Sequence, residues 1–274
     1  MMAKTKRKKV KEMVKLTQER VKDILSYMED DLPNCLYLYG DIVRYGVDDS
    51  NMTVWFSEEN GKIKAVVMKY FSGSHVYSKN LDYDLDEVVE KLREINPDRV
   101  SSQREIIKSL FPFFQDGYDV EYGEIFKHYH YRKMKSPVPI ERAKPEDAGK
   151  IAEFLMTHET WSKTYDKDRL ADELADRMRL GIGRSYIIRD GDQIVAHDSF
   201  ALETDRYVVG SLALVHEDYR KRMYGVFLES YIVNEIYDEG KDNYSMITDI
   251  QRIKGLTRRG NLPVAYYGKL FRRK

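Results

Sequence analysis

The chain has 274 residues, a length that fits one large domain or two small ones. Hydrophobic residues make up 42% of it, enough for a packed core, which argues against a disordered chain. Lysine plus arginine and aspartate plus glutamate both number 46, so the formal net charge is zero and no global charge favours nucleic acid.

Cysteine content and hydropathy limit the setting of the protein. Cys35 stands alone, so no disulfide can form within the chain, which fits a reducing compartment. No stretch of about 18 apolar residues could span a membrane. The basic segment Lys4–Lys11 lacks the following apolar run of a signal peptide. We therefore expect a soluble, cytoplasmic protein with no membrane partner.

The first half of the chain mixes helices and strands. Apolar residues recur with a helical period over Val10–Met28, which predicts a helix on the core, with a contact to RNA or membrane through its lysines as the alternative. Asn60-Gly61 lies between two apolar runs and predicts a hairpin, because both residues tolerate positive φ. Helices over Asp84–Ile95 and Gln103–Phe114 and an aromatic-rich strand over Tyr118–Tyr131 complete this half.

The pattern restarts after Ser136–Pro139, the best candidate for a linker. It predicts helices and strands at the following positions: helices Pro145–Met156, Asp168–Leu180, Tyr224–Tyr237 and Ile250–Arg258, and strands Tyr186–Ile188, Gln193–Leu202, Tyr207–Val215, Ser245–Thr248 and Val264–Phe271. Both halves end on similar strands, Tyr122–Lys127 and Tyr267–Arg272. We predict a tandem duplication with domains over residues 1–135 and 136–274; the alternative is chance similarity between two α/β segments.

The segment Leu212–Gly225 combines the end of an apolar strand, a basic turn and the start of a helix. A helix N-terminus presents free backbone N–H groups and the positive end of the helix dipole, and both suit an anionic phosphate. The cations at Arg220–Arg222 add charge at the same place, and Gly225 would let the backbone approach a ligand closely. The segment therefore predicts a phosphate site; the alternative is an ordinary basic turn.

This segment resembles the acetyl-CoA motif of the GNAT N-acetyltransferases, Arg/Gln-x-x-Gly-x-Gly/Ala, and the resemblance extends over about residues 140–274. Arg220 matches the first position and Gly225 the last, whereas Met223 stands at the middle glycine. The resemblance implies an α/β (α+β) fold of two GNAT-like domains, each a mixed, mostly antiparallel sheet flanked by helices. It implies acetyl-CoA as co-substrate, held along its pantetheine arm and around its pyrophosphate by these residues: Ala213, Leu214 and Val215, then Arg220, Lys221, Arg222, Met223, Tyr224 and Gly225.

The first half lacks such a segment. Its strand His75–Ser78 is followed by carboxylates at Asp82, Asp84, Asp86 and Glu87, which would repel a pyrophosphate. We interpret the first half as a degenerate GNAT-like domain that supports the fold or shapes the acceptor cleft.

The resemblance also implies a tyrosine in the last helix, four residues before a glycine, that protonates the leaving thiolate. With Gly260 as that glycine, the position holds Leu256, so the usual general acid is missing. Asp249 and Glu203 are the candidate general bases. Asp249 could equally cap the helix that begins at Ile250, and Glu203 could be a solvated hairpin residue.

Two further pairs of residues are weaker candidates. His197 and Asp198 lie on a predicted strand, where one of them faces the sheet interior and packing is the commoner role of a lone histidine. Tyr266 and Tyr267 could supply a hydroxyl, although aromatic packing is their default role.

The sequence predicts no metal site. The six histidines do not pair with cysteine or carboxylates at ligand spacing. His128 and His130 would share one side of a strand, but no further ligand accompanies them.

We predict an acyl-CoA-dependent N-acetyltransferase that acts on a small-molecule or peptide amine. The alternative from another class is a catalytically inactive acyl-CoA-binding or interaction protein on the same fold. A third possibility is a GNAT-like transferase that takes its acyl group from aminoacyl-tRNA; the basic N-terminus supports it, and the basic pyrophosphate loop argues against it.

Overall fold

The computed structural model describes residues 12–129 and 133–273, without the side chains at positions 160, 163 and 164. The described chain forms two compact units. The first takes the residues up to Glu124 together with residues 248–253 and 264–273, and the second takes residues 125–247 and 254–263.

Twelve strands and nine helices account for the described regular structure, apart from short 3-10 turns. In chain order they are β1 (Val14–Lys15), α1 (Val21–Met28), α2 (Leu36–Tyr45), β2 (Met52–Glu59), β3 (Lys62–Tyr70), β4 (Gly73–Tyr77), α3 (Leu85–Ile95), β5 (Arg99–Gln103), α4 (Arg104–Phe114), β6 (Tyr118–His128), β7 (Glu141–Arg142), α5 (Ala148–Met156), α6 (Glu159–Thr164), α7 (Lys167–Leu180), β8 (Ser185–Asp190), β9 (Gln193–Glu203), β10 (Tyr207–Val215), α8 (Tyr224–Asp238), β11 (Asp242–Ile247), α9 (Ile250–Arg258) and β12 (Pro263–Arg272).

The first unit is built on a mixed sheet. Strands β1 to β4 follow one another antiparallel, β4 pairs parallel with β5, and β5 pairs antiparallel with β12. The predicted hairpin is confirmed, because Asn60 and Gly61 both take positive φ, 51° and 73°. Helices α3 and α4 cover a core that includes Val67, Val100 and Leu270.

The predicted helix over Val10–Met28 is wrong in its first part. Val14 and Lys15 pair with Phe56 and Trp55 as strand β1, and the helix α1 begins only at Val21. Between them Thr17 is extended, with φ −108° and ψ 164°, so the backbone cannot continue as a helix. Strand pairing therefore overrides the helical period here, and Val10 itself lies outside the described residues.

The second unit repeats this strand scheme. Strands β7 to β10 follow one another antiparallel, and β10 pairs parallel with β11. Helices α5 and α7 pack on a core that includes Ile187 and Leu212, whereas α8 packs on a second core that includes Ile188 and Val208. Because Ile187 and Ile188 alternate along β8, the two cores cover opposite faces of the sheet. The predicted fold class is confirmed: a mixed, mostly antiparallel sheet flanked by helices.

Each unit takes one strand from the other half of the chain. Strand β12 lies beside β5 in the first unit, and the end of β6 lies beside β11 in the second. Gly268 permits the close packing of β12, since a Cβ there would lie 2.9 Å from Cδ1 of Tyr122 and 3.0 Å from Cβ of Ile107. The predicted domain boundary between residues 135 and 136 follows the chain and does not include this exchange; it stays a prediction.

Candidate functional site

Strand β10 carries an irregularity in the middle of the candidate site. Ser211 pairs with Ser199 on β9, but the next paired residue is Leu214, which lies opposite His197. Three steps along β10 therefore match two along β9, and Leu212 takes the left-handed conformation with φ 56°. This is a β-bulge, which bends the strand and re-aims its backbone groups.

Two side chains of β9 hold the bulge in place. His197 Nδ1 donates a hydrogen bond of 2.8 Å to the carbonyl oxygen of Leu212, and Ser199 Oγ donates one of 2.9 Å to that of Ser211. His197 is 1% exposed, and its burial lowers the pKa to about 4. The imidazole is therefore neutral near pH 7, with its proton on Nδ1, and it acts on the backbone of β10.

The ladder between β10 and β11 is short. Paired residues run from Tyr207 with Asp242 to Gly210 with Ser245, although β10 continues to Val215. Beyond Gly210, the edge of β10 that faces β11 thus has no strand partner in the described part of the chain. Such an edge can accept an extended ligand in place of a strand.

The turn after β10 ends on a residue with left-handed backbone geometry. A 3-10 turn covers Glu217–Arg222, and Met223 follows with φ 60° and ψ 19°, immediately before α8 begins at Tyr224. This is the conformation that glycine adopts most easily, so the Met223 side chain is strained here. Its side chain is 47% exposed and thus extends toward solvent.

The N-terminus of α8 is open to a ligand. No side chain caps it, and its N-cap residue is Met223. The first intrahelical bonds start at the N–H groups of Val226 and Phe227, which donate to the Met223 carbonyl oxygen at 2.9 and 3.1 Å. The N–H groups of Tyr224 and Gly225 therefore lack a helical acceptor and carry the positive end of the helix dipole.

The three cations of the turn are exposed. Arg222 lies over the ring of Tyr219, 4.6 Å from its centre, and the Tyr219 hydroxyl donates 2.6 Å to Asp190 on the β8–β9 hairpin. Among the residues that the structure describes, no carboxylate lies within ion-pair distance of Arg220, Lys221 or Arg222. The turn thus presents three exposed cations, none of them in a close ion pair with a described residue, beside the open end of α8.

Gly225 lies close to the neighbouring strand. Its backbone needs no positive φ, but a Cβ there would lie 3.2 Å from Cγ2 of Val215. The glycine therefore lets α8 pack closely against the end of β10. The close approach of a ligand to its backbone stays a prediction.

The corresponding helix of the first unit has no free N-terminus. Asp84 caps α3, and its Oδ1 accepts hydrogen bonds of 3.0 and 3.3 Å from the N–H groups of Asp86 and Glu87. A carboxylate of the chain thus occupies the position that an anionic ligand would need.

The corresponding strand pair of the first unit is also closed by its own side chains. The ladder between β4 and β5 ends at His75 and Ser101. Beyond it, Ser102 Oγ donates 2.7 Å to the carbonyl oxygen of Val76, and Gln103 Oε1 accepts 3.1 Å from the N–H of Ser78. These bonds satisfy backbone groups that a bound ligand would otherwise use.

Glu203, a predicted general base, lies in a buried ion-pair cluster and is not the solvated hairpin residue of the alternative interpretation. Its side chain is 8% exposed and binds Arg184, and Lys241 Nζ lies 2.8 Å from its Oε1. Arg184 also binds Glu239, and this contact lowers the pKa of the Glu239 carboxyl. Two cations of the chain thus already hold the Glu203 carboxylate.

Asp249, the other predicted base, caps α9. Its Oδ1 accepts a hydrogen bond of 2.7 Å from the N–H of Arg252, as the N-cap interpretation requires. Leu256, at the position of the family's tyrosine, is fully buried. Tyr267 is buried as well, and the exposed Tyr266 packs against the Arg104 guanidinium at 4.3 Å. Leu256 has no hydroxyl, whereas the buried Tyr267 hydroxyl has no hydrogen-bond partner among the described residues.

The described residues form neither a metal-binding cluster nor a membrane-spanning helix. No group of three or more histidine, cysteine, aspartate or glutamate side chains within residues 12–129 and 133–273 could hold a metal ion. His130, from the predicted histidine pair, lies outside the described residues. No helix in the same ranges combines the length and the apolar character that crossing a membrane requires.

No protein-family model matches the chain, and neither does any curated protein. Solved structures do match. A GNAT-family acetyltransferase from Colwellia psychrerythraea has a TM-score of 0.61 at 8% identity, over 96% of this chain and 100% of its own. A tandem GNAT protein from the clavulanic acid biosynthesis pathway has a TM-score of 0.58 at 12% identity, over 94% and 97%. A Drosophila protein has a TM-score of 0.69 at 12% identity, over 95% and 98%.

These likenesses establish the fold. The chain has the fold of the GNAT acetyltransferases, as the motif around Arg220 and Gly225 predicted, and the tandem GNAT structure fits its two domains.

Proposed function

We propose that the second unit binds acetyl-CoA and that the protein is an N-acetyltransferase acting on a small-molecule or peptide amine. One observation carries the proposal. The N-terminus of α8 and the edge of β10 beyond Gly210 are both open, whereas the chain's own side chains occupy the matching positions of the first unit.

The residues of the second unit suit the parts of this co-substrate, which supplies an acetyl thioester when bound. The N–H groups of Tyr224 and Gly225 would hold the pyrophosphate, with added charge from Arg220, Lys221 and Arg222. The strand residues Ala213, Leu214 and Val215 would offer their backbone groups to the pantetheine arm.

A second candidate function is binding of acyl-CoA without catalysis. The buried Leu256 favours it, because a leucine side chain cannot protonate a leaving thiolate. Both functions share the same co-substrate site, so a binding measurement comes first.

Isothermal titration calorimetry with CoA tests the shared claim. We expect one CoA per chain, because Asp84 caps α3, the helix of the first unit that corresponds to α8. A stoichiometry of two would contradict the degenerate interpretation of the first unit. Absence of binding at millimolar CoA would refute the proposal as a whole.

Substitutions in the loop should weaken CoA binding to different degrees, according to the group that each one changes. Gly225→Glu brings a negative charge to the pyrophosphate and should cost about 2–4 kcal/mol of binding free energy. Arg222→Ala removes one charge-assisted contact while the amides remain, and should cost about 1–2 kcal/mol, less at high salt.

Two controls accompany this ranking. Gly255→Glu makes the same change in α9, where a Cβ meets nothing within 4 Å, and should leave CoA binding unchanged. Asp84→Ala removes the cap of α3 and should leave the affinity for CoA unchanged. If Asp84→Ala were the most damaging variant, the co-substrate would belong to the first unit.

A further inference from the structure

A serine, a histidine and a glutamate meet at the end of the β10–β11 ladder. Ser245 Oγ on β11 lies 2.8 Å from His128 Nε2, at the end of β6. His128 Nδ1 lies 4.0 Å from Oε1 of Glu229 on α8. The serine is 9% exposed and the histidine 7%, so both are buried but still reached by water. No local sequence pattern predicts this group, because its members are far apart along the chain.

Ser245 occupies the last rung of the ladder. Its strand partner is Gly210, the residue after which the edge of β10 becomes free. Gly210 leaves space beside the hydroxyl, since a Cβ on it would lie 3.3 Å from Ser245 Oγ. An extended substrate anchored at the N-terminus of α8 and laid along β10 from Val215 therefore ends close to Gly210 and Ser245.

The proposed acetyl transfer needs a proton donor at that end. Breaking a thioester produces a thiolate, and the leucine at position 256 has no proton to give. A hydroxyl that is itself hydrogen-bonded to an imidazole can donate a proton and recover it without moving.

We infer that Ser245 is the proton donor to the leaving thiolate and that His128 resupplies its proton; we call the pair the Ser245–His128 relay. The inference rests on the proposed function and assigns a catalytic residue to it.

The proton balance of the relay is complete. The acceptor nitrogen forms a bond to the acetyl carbon, the carbon–sulfur bond breaks, and sulfur leaves with the electron pair. The Ser245 hydroxyl proton passes to sulfur, and the Nε2 proton of the protonated His128 passes to Ser245 Oγ. The acceptor nitrogen loses its proton to water, and water returns one proton to His128. No oxidant or further reactant is needed.

Glu229 acts on the relay as a positioning residue. Its carboxylate lies too far from Nδ1 for a direct hydrogen bond, but close enough to favour the positive charge on His128. Arg259 Nη1 lies 3.6 Å from the other oxygen of Glu229 and keeps the carboxylate in place.

The first test is release of free thiol from acetyl-CoA, with water, a lysine-containing peptide and spermidine as acceptors. Ser245→Ala and His128→Gln should each lower kcat about 100-fold and leave KM nearly unchanged, because the donor acts on the leaving group. Ser185→Ala serves as the matched control, since Ser185 is a 1% exposed strand serine on β8, and it should keep the wild-type rate.

The second test measures binding and needs no turnover. If the Ser245 hydroxyl contacts sulfur, wild-type protein should bind CoA about 2–10-fold more tightly than desulfo-CoA, the analogue without sulfur. Ser245→Ala should abolish this preference, whereas Ser185→Ala should keep it. A purely structural role of Ser245 would change both affinities alike.

The outcomes separate the relay from the function on which it rests. No binding of CoA to the wild type would refute the proposed function, and the relay with it. Binding of CoA without thiol release would favour the non-catalytic candidate and refute both the acetyl transfer and the relay. Ser245→Ala with wild-type kcat and an intact preference for CoA would overturn the relay alone.

Discussion

At the scale of single residues, Met223 carries a side chain on a left-handed backbone. It stands where the GNAT motif has a glycine, and its φ is 60°. A side chain in this conformation costs about 1–2 kcal/mol, and the exposed thioether regains little of that by packing. The turn is therefore less stable than it could be.

Met223→Gly should relieve this strain. We expect a gain of about 0.5–1 kcal/mol in the free energy of unfolding, since the relief exceeds the extra entropy of an unfolded glycine. Chemical denaturation measures this change in the free energy of unfolding. The affinity of Met223→Gly for CoA should not fall. Met223→Val is the matched contrast and should destabilise, because a β-branched side chain tolerates this conformation worst. A less stable Met223→Gly protein would show that the side chain contributes packing.

At the scale of elements, the bulge of β10 depends on one buried side chain from the neighbouring strand. His197 is neutral in the folded protein, and burial lowers its pKa from 6.5 to about 4. Between these values the unfolded chain binds a proton that the folded chain does not. Stability from this group is thus complete above about pH 6.5 and is lost as pH falls toward 4.

The acid sensitivity of the protein should reflect this histidine. Between pH 7 and pH 4 we expect His197 to account for a loss of about 3 kcal/mol. His197→Gln keeps a donor for the Leu212 carbonyl oxygen but cannot titrate, so its melting temperature should fall less over this range. His216→Gln, at a partly exposed imidazole, controls for the loss of any histidine and should follow the wild type. Parallel curves for His197→Gln and the wild type would contradict the role assigned to His197.

Elements with a strong local signal could be predicted from the sequence, and features that depend on two strands could not. Strand β10 and helices α8 and α9 begin where the periodicity predicted, because apolar spacing and turn residues are local. The bulge at Leu212 depends on the register of β9, which no local pattern encodes. The sequence did not predict strand β5, because Ser101 and Ser102 are polar and the segment lacks the apolar pattern of a buried strand.

The candidate site divides in the same way. The strand, turn and helix around Arg220 and Gly225 could be predicted, because they lie within one short segment, and ligand binding there stays a prediction. The pairing of His128 with Ser245 spans 117 positions and appears only when two strands meet. The sequence could not show that Glu203 is buried, because its partner Arg184 lies 19 residues away along the chain.

At the scale of the whole molecule, the exchange of β12 and β6 ties each unit to the other half of the chain. Leu270 of β12 is fully buried in the core of the first unit and pairs with Val100 on β5. A substitution or deletion near residue 270 should therefore destabilise the first unit before the second, although most residues of the first unit come before residue 125.

Removal of residues 264–274 tests this expectation. The free energy of unfolding should fall by more than the roughly 3 kcal/mol expected for loss of a single buried leucine, because the deletion also removes a paired strand. Hydrogen exchange measured by mass spectrometry should rise first in β5 and α4. Strands β8 and β9 of the second unit serve as the internal control and should keep their protection. If hydrogen exchange rose more in β8 and β9 than in β5, the assignment of β12 to the first unit would be contradicted.

The exchange also has a consequence for the order in which a ribosome makes the protein. Strand β5 is complete at Gln103, but the strand that pairs with it starts only at Pro263. At about 5–20 residues per second, the nascent first unit waits on the order of 10–30 s with the edge of β5 uncovered. An uncovered strand edge pairs readily with other chains. The protein is therefore most exposed to misassembly during its own translation, and a nascent-chain chaperone would help it most in that interval.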